Sequence, residues 1–229
     1  MMKTVILSDC HIGSPESNYR CVEEFLHNLE CDRLILAGDF WDLWDCSAKE
    51  LRDRHESAVR ELQRVAARGI QVDYVLGNHD AGYRKNQVVP LLTTFNECTF
   101  TTPGGRRVLV VHGHQYDWIM RKHYSWYRLV AVINKFLAVF GLSYKKWQSL
   151  SKHCGEAKYS EVVRDMHSTA MADCRKRCDV LVMGHTHTPM HTTVDGLEFV
   201  NAGDWKYHNT YAVVIGDEIT LETFRSVKT

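Results

Sequence analysis

Five apolar runs in this 229-residue sequence end in groups that bind cations or move protons. "TVILSD" leads into Asp9, Cys10 and His11; "DRLILAGD" into Asp39 and Asp42; "VDYVLGNHD" into Asn78 and His79; "RRVLVVHGH" into His112 and His114; "DVLVMGHTH" into His185 and His187. Alternation along a strand lets Asp9 and His11 project together while Cys10 faces the other way, and the same spacing returns at His185 and His187. Four imidazoles (His11, His112, His185, His187), two carboxylates (Asp9, Asp39) and one amide (Asn78) are too many for one tetrahedral zinc, and no sulfur is needed. With one carboxylate shared they divide into two sets of four, which suits two divalent ions with water in the open positions. Ions paired about 3.5–4 Å apart serve phosphoryl chemistry: they hold a hydroxide between them and neutralise charge growing on the phosphorus oxygens. Each element alone has a plainer meaning. "GNHD" can be a turn with a left-handed Asn, and Cys10 a small buried thiol. Five such elements, each closing an apolar run, are not explained by turns.

The positioning elements are legible in the pattern. Short apolar runs without clean alternation, "EFVNAGD" among them, suggest strands buried on both faces. Amphipathic stretches at Tyr19–Glu30 and Ser47–Arg68 give a βαβ rhythm, and the tail "TYAVVIGDEITLETF" reads as a hairpin through Gly216-Asp217. The expectation is one α/β sandwich domain over 1–229, with the site in loops at the strand ends.

Residues 115–177 break the rhythm with helical patterns and no strand, and read as a helical cap inserted in that domain. Ser125–Leu142 is apolar and aromatic, and 115–177 holds 12 Lys/Arg against 5 Asp/Glu. Basic groups beside such a helix suit an anionic lipid substrate or a headgroup surface. The plainer alternative is packing on the sandwich with Lys and Arg snorkelling at the edge. His114, Arg121, Arg128, Lys152 and Lys158 are the candidate substrate contacts.

Lys+Arg and Asp+Glu balance at 28 each, which argues against a nucleic-acid track. The start has too short an apolar run for a signal peptide, and no run approaches the roughly 18 residues of a spanning helix. Eight cysteines without a CxxC pair read as reduced thiols of a cytoplasmic protein. GxxxxGK[ST], GxSxG and GxGxxG are absent, which removes several other enzyme classes.

The ordered motifs resemble those of the calcineurin-like metallophosphoesterases: Asp-x-His (Asp9, His11), Gly-Asp-x-x-Asp (Gly38–Asp42), Gly-Asn-His-Asp (Gly77–Asp80), His-Gly-His (His112–His114) and Gly-His-x-His (Gly184–His187). The resemblance implies a four-layer α/β/β/α sandwich. It gives one metal to Asp9, His11, Asp39 and His187, and the other to Asp39, Asn78, His112 and His185, with Asp39 bridging. It places His79 near the leaving-group oxygen as proton donor or transition-state stabiliser, oriented by Asp42. Two divalent ions are implied, Mn2+ foremost, with Fe2+, Zn2+ and Co2+ tolerated by such donors.

"LAGDFWDLWD", "NAGDW" and the insertion resemble the UDP-2,3-diacylglucosamine pyrophosphohydrolase branch, peripheral membrane enzymes that cut a lipid A precursor. That branch carries Arg at the position of His79 and Asp at that of His114. The sequence therefore leads to a two-metal hydrolase of a phosphodiester or pyrophosphate, on a UDP-2,3-diacylglucosamine-like or another small phosphoester or cyclic nucleotide. Its expected place is the cytoplasm or the inner face of the membrane, with peripheral contact through the insertion. A nuclease and a non-catalytic scaffold are the remaining alternatives. The neutral charge opposes the first and the complete ligand set the second.

Overall fold

The computed structural model describes residues 1–80, 83, 88, 92–118, 122 and 145–226, with only the backbone of 145–159. The apolar runs become strands because both of their faces are covered. In β6 (Arg107–Val111), Val108 and Val110 enter one hydrophobic cluster while Leu109 and Val111 enter another. The same division holds in β1 (Lys3–Leu7), where Ile6 faces one way and Val5 and Leu7 the other.

One sheet has six strands. β1, β2 (Arg33–Ala37), β3 (Gln71–Val75) and β4 (Thr93–Phe95) run parallel, and β10 (Thr210–Ile215) and β11 (Glu218–Thr223) add an antiparallel edge. The other sheet has the order β5 (Glu97–Thr101), β6, β7 (Val180–Met183), β9 (Leu197–Asn201), β8 (Met190–Val194), with β6, β7 and β9 parallel. Side chains between the sheets, among them Ile6, Ile35, Val75, Val110, Val182 and Val200, form the central cluster. Helices α1 (Tyr19–His27), α2 (Ala48–Arg54) and α3 (Glu56–Ala67) cover the outer face of the first sheet. Ala170, Met171 and Cys174 of α4 (Lys145–Cys174) cover that of the second. These are the four layers of an α/β/β/α sandwich.

The differences from the sequence pattern are local. Tyr19–Glu30 ends earlier, at His27, and Ser47–Arg68 is two helices. Ser47 and Glu50 form a capping box at the start of α2. His55 then leaves helical geometry at φ −121°, where its ring packs edge-on to Tyr19 at 4.8 Å. The predicted tail hairpin is β10–β11, turning at Gly216-Asp217. Strands β4, β5 and β8 carry no apolar run; they lie at or beside sheet edges, where polar residues suffice. Ser125–Leu142 lies outside the described residues.

Candidate metal centre

Every ligand candidate follows the C-terminal end of a parallel strand: Asp9 and His11 after β1, Asp39 after β2, Asn78 after β3, His112 after β6, His185 and His187 after β7. Loops from both sheets therefore meet at one edge, where α/β folds place their sites. Strand alternation is not what aims Asp9 and His11. β1 ends at Leu7, and both residues take left-handed backbone, φ 54° and 46°. Asp39, His185 and His187 do the same at 52°, 67° and 52°. Asp and His are among the few non-glycine residues enriched there, and such strain collects where the surrounding structure enforces it. Here Asp9 N bonds Gly38 O and His11 N bonds Asp39 O, at 3.1 and 2.8 Å. Cys10 does face away: it is buried in the helix-side core, where burial, aided by the Asp9 charge, pushes its thiol pKa well up.

Two close approaches demand glycine. A Cβ on Gly184 would strike Ser8 Oγ and Asp9 Oδ2, and one on Gly77 would strike Asp39 Oδ1. The glycines thus let the two histidine- and asparagine-bearing loops close onto the carboxylates.

Asp9 ties the sheets together, since its Oδ2 accepts from Ser8 Oγ at 2.6 Å and His185 N at 2.8 Å. Its other oxygen, Oδ1, is buried without a hydrogen bond, 3.2 Å from His187 Nε2 and 3.6 Å from His11 Nε2. An orphaned, fully buried carboxylate oxygen facing two imidazoles is what a cation site requires. Asp39 Oδ2 stands 3.2 Å from His112 Nε2 and 3.8 Å from His11 Nε2, between the two groups. Asn78 Oδ1 is 3.2 Å from the same His112 Nε2. Asp9/His11/His187 and Asp39/His112/His185 can each converge on one ion, with His11/Asp39/His79 a third grouping between them. The all-N/O donor set fits a first-row divalent ion.

The rear nitrogens are held as metal ligands need. His112 Nδ1 donates to Ala37 O at 3.0 Å, and His11 Nδ1 to Asp42 Oδ2 at 3.2 Å. His185 Nε2 donates to Asp117 Oδ2 at 3.2 Å. Burial opposes charge on Asp9, Asp39 and Asp42, yet the surrounding histidines hold all three well below the usual carboxylate range. Burial likewise opposes protonation of His112, but Asp39 and Asp9 outweigh it and raise the pKa to about 9. Each buried carboxylate is thus held charged beside groups that can carry or bind positive charge.

At its edge Asp42 serves two histidines. Its Oδ1 lies 3.1 Å from His79 Nδ1, opposite the oxygen that holds His11. His79 is part-exposed while its Nδ1 is buried. His114 is half-buried beside His112, ring centroids 5.4 Å apart; burial and then its His112 and His185 neighbours lower its pKa to about 4. Lys152 and Lys158 fall in α4, while Arg121 and Arg128 lie outside the described residues.

Three further supports hold the ligand loops. Asp117 holds His185, as above. Asp80 is fully buried and accepts from Asp39 N at 2.7 Å, Gly77 N at 2.9 Å and the Tyr74 hydroxyl, fixing the Asp39 backbone. Asn201 Nδ2 donates to Gly184 O at 3.0 Å and to Thr186 Oγ1 at 2.9 Å, and His167 of α4 meets that same hydroxyl at 3.0 Å. The strained loop bearing His185 and His187 is thereby pinned from both neighbouring elements. "NAGDW" hinted at Asn201; nothing in spacing marked His167 or Asp117.

Residues 2–218 match the calcineurin-like phosphoesterase superfamily domain. The UDP-2,3-diacylglucosamine hydrolase of Yersinia pseudotuberculosis serotype O:1b (strain IP 31758) is 25% identical over 250 residues, covering 97% of this chain and 99% of that protein. Similar solved structures include a novel archaeal phosphodiesterase (TM-score 0.53, 16% identity, 97% of this chain and 100% of that one). The E. coli phosphoesterase Yfce is comparable (TM-score 0.51, 17% identity, 97% and 93%). With the domain match spanning nearly the whole chain and the strand-end loops gathering His and Asp groups able to hold metal, this protein belongs to the calcineurin-like phosphoesterase superfamily and is a metal-dependent phosphohydrolase.

Proposed function

We propose that the chain hydrolyses a phosphodiester or pyrophosphate at a two-metal centre. The observation that carries this is Asp39 Oδ2, standing between the His112 and His11 sides of the site. Asp9, His11, Asp39 and His187 would hold one ion, and Asp39, Asn78, His112 and His185 the other. Divalent ions there supply Lewis acidity, neutralising the phosphoryl oxygens and lowering the pKa of a coordinated water. The protein's own part is orientation and proton delivery. Water adds to phosphorus and releases a proton to solvent, the phosphorus–oxygen ester bond breaks, and His79 Nε2 gives its proton to the departing oxygen and regains one from solvent, while Asp42 keeps the ring oriented.

For substrate, the full-length similarity to a UDP-2,3-diacylglucosamine hydrolase supports a nucleotide-lipid of that kind. The positive excess over 115–177, as a helical cap with peripheral membrane contact, supports an anionic lipid. Among the described residues no helix is long and apolar enough to cross a membrane. A second reading, a smaller phosphodiester or cyclic nucleotide, is favoured by His79 and His114 in place of that branch's Arg and Asp. A turnover screen of Mn2+-loaded protein over UDP-2,3-diacylglucosamine, simple phosphodiesters and phosphomonoesters separates them. Turnover of the lipid nucleotide well above the simple diesters is expected; the reverse order selects the second reading, and no turnover of any ester overturns both.

Asp117 gives a test independent of turnover. Asp117→Asn keeps the shape but removes the charged acceptor behind His185. Metal affinity at that position is expected to fall about 10–100-fold, read by equilibrium dialysis with Mn2+. Unchanged retention would show that His185 is oriented without it.

A further inference from the structure

We propose that Trp44 is a positioning residue for His79, its indole fixing the plane in which the imidazole meets the leaving group. This role rests on His79 acting as the proton donor. The rings stack with centroids 4.1 Å apart and planes 24° from parallel. His11 meets the same imidazole with centroids 4.6 Å apart and planes at 89°.

The turn carrying Trp44 is built around His79. Leu43 N bonds His79 O at 3.3 Å. Trp44 N and Asp45 N both donate to Asp42 Oδ1, at 3.1 and 3.0 Å, the oxygen that also faces His79 Nδ1. The backbone thus sets the carboxylate and the indole against the imidazole together.

The physical need for a second contact is rotational. The outer torsion of a histidine side chain is broad and only roughly two-fold, and one contact at Nδ1 leaves the ring free to pivot about that axis. A flat surface against its face removes the pivot. Proton delivery is sensitive to such orientation: a misplacement of about 1 Å can cost about 10²-fold in rate.

Leaving-group dependence reads this directly, because an activated p-nitrophenolate departs without a proton and an unactivated phenolate does not. Mn2+-loaded protein is assayed on methyl p-nitrophenyl phosphate and methyl phenyl phosphate, which differ by one nitro group. Trp44 is partly exposed and outside the hydrophobic clusters, so substitution spares the core. Trp44→Leu is expected to lower kcat on the phenyl ester about 10–100-fold and several-fold less on the nitrophenyl ester, with KM little changed. Trp44→Phe, which keeps a flat ring, is expected to restore most of the difference. In a His79→Ala background, Trp44→Leu is expected to add nothing on the phenyl ester. Equal losses on both esters, a loss in KM alone, or a loss that persists without His79 would overturn the proposal. If His79→Ala itself shows no leaving-group dependence, the donor role falls and this one with it; if only Trp44→Leu lacks it, Trp44 alone is misassigned.

Discussion

Asp39→Asn is expected to abolish hydrolysis and to release bound metal while leaving the fold intact. The carboxylate stands between the two imidazole groups, so its charge faces both candidate ions. Metal-centred stabilisation of a phosphoryl transition state is worth several kcal/mol; a loss of about 4 kcal/mol corresponds to about 10³-fold in rate at ~1.4 kcal/mol per power of ten. Asparagine is the informative replacement. Asp39 has φ 52°, a conformation asparagine tolerates and alanine does not. Its Oδ1 also accepts from His79 N at 2.8 Å, a bond the amide oxygen can keep. Alanine would add backbone strain and an unpaired buried N–H to the loss of charge, confusing collapse with chemistry. Elemental analysis, circular dichroism and turnover of a chromogenic phosphodiester on the same preparation decide it. Full activity, or full metal content with a native spectrum, would show that Asp39 does not bridge.

His79→Ala is expected to cost about 10²–10⁴-fold on esters with unactivated leaving groups and far less on nitrophenyl esters, with metal content unchanged. Asp42 sets one oxygen 3.1 Å from His79 Nδ1 and bonds His11 by the other, so the two substitutions part company. Asp42→Asn should weaken both proton delivery and metal retention, whereas His79→Ala should touch the first alone. Loss of metal in His79→Ala would move His79 into the ligand set, where its proximity to His11 and Asp39 already makes it geometrically eligible. A flat response across leaving groups would remove it from proton transfer.

Much of this was legible before any coordinates. Polar clusters at the ends of "TVIL", "RLILA", "YVL", "RVLVV" and "VLVM" announced both the strands and the edge at which they deliver their ligands, because buried parallel strands need apolar residues on both faces and only their ends are open. The edge strands β4, β5 and β8 escaped for the converse reason: a half-exposed strand needs no apolar run. The break at His55 escaped because helical periodicity runs through it, and only the contact with Tyr19 shows where the chain leaves the helix.

Types and order of the candidate ligands are thus properties of the sequence itself: strand-end loops and a two-group count of imidazoles and carboxylates follow from local composition. Their aim is a tertiary matter. Asp9 and His11 converge through left-handed backbone held by Gly38 and Asp39, not through strand alternation. Asp117 behind His185, Trp44 against His79, and His167 with Asn201 around Thr186 are pairings between residues distant in sequence, which no motif spacing shows. Local interactions choose strand and helix, but a strained loop conformation or a ring plane needs partners that only the packed sandwich brings within reach.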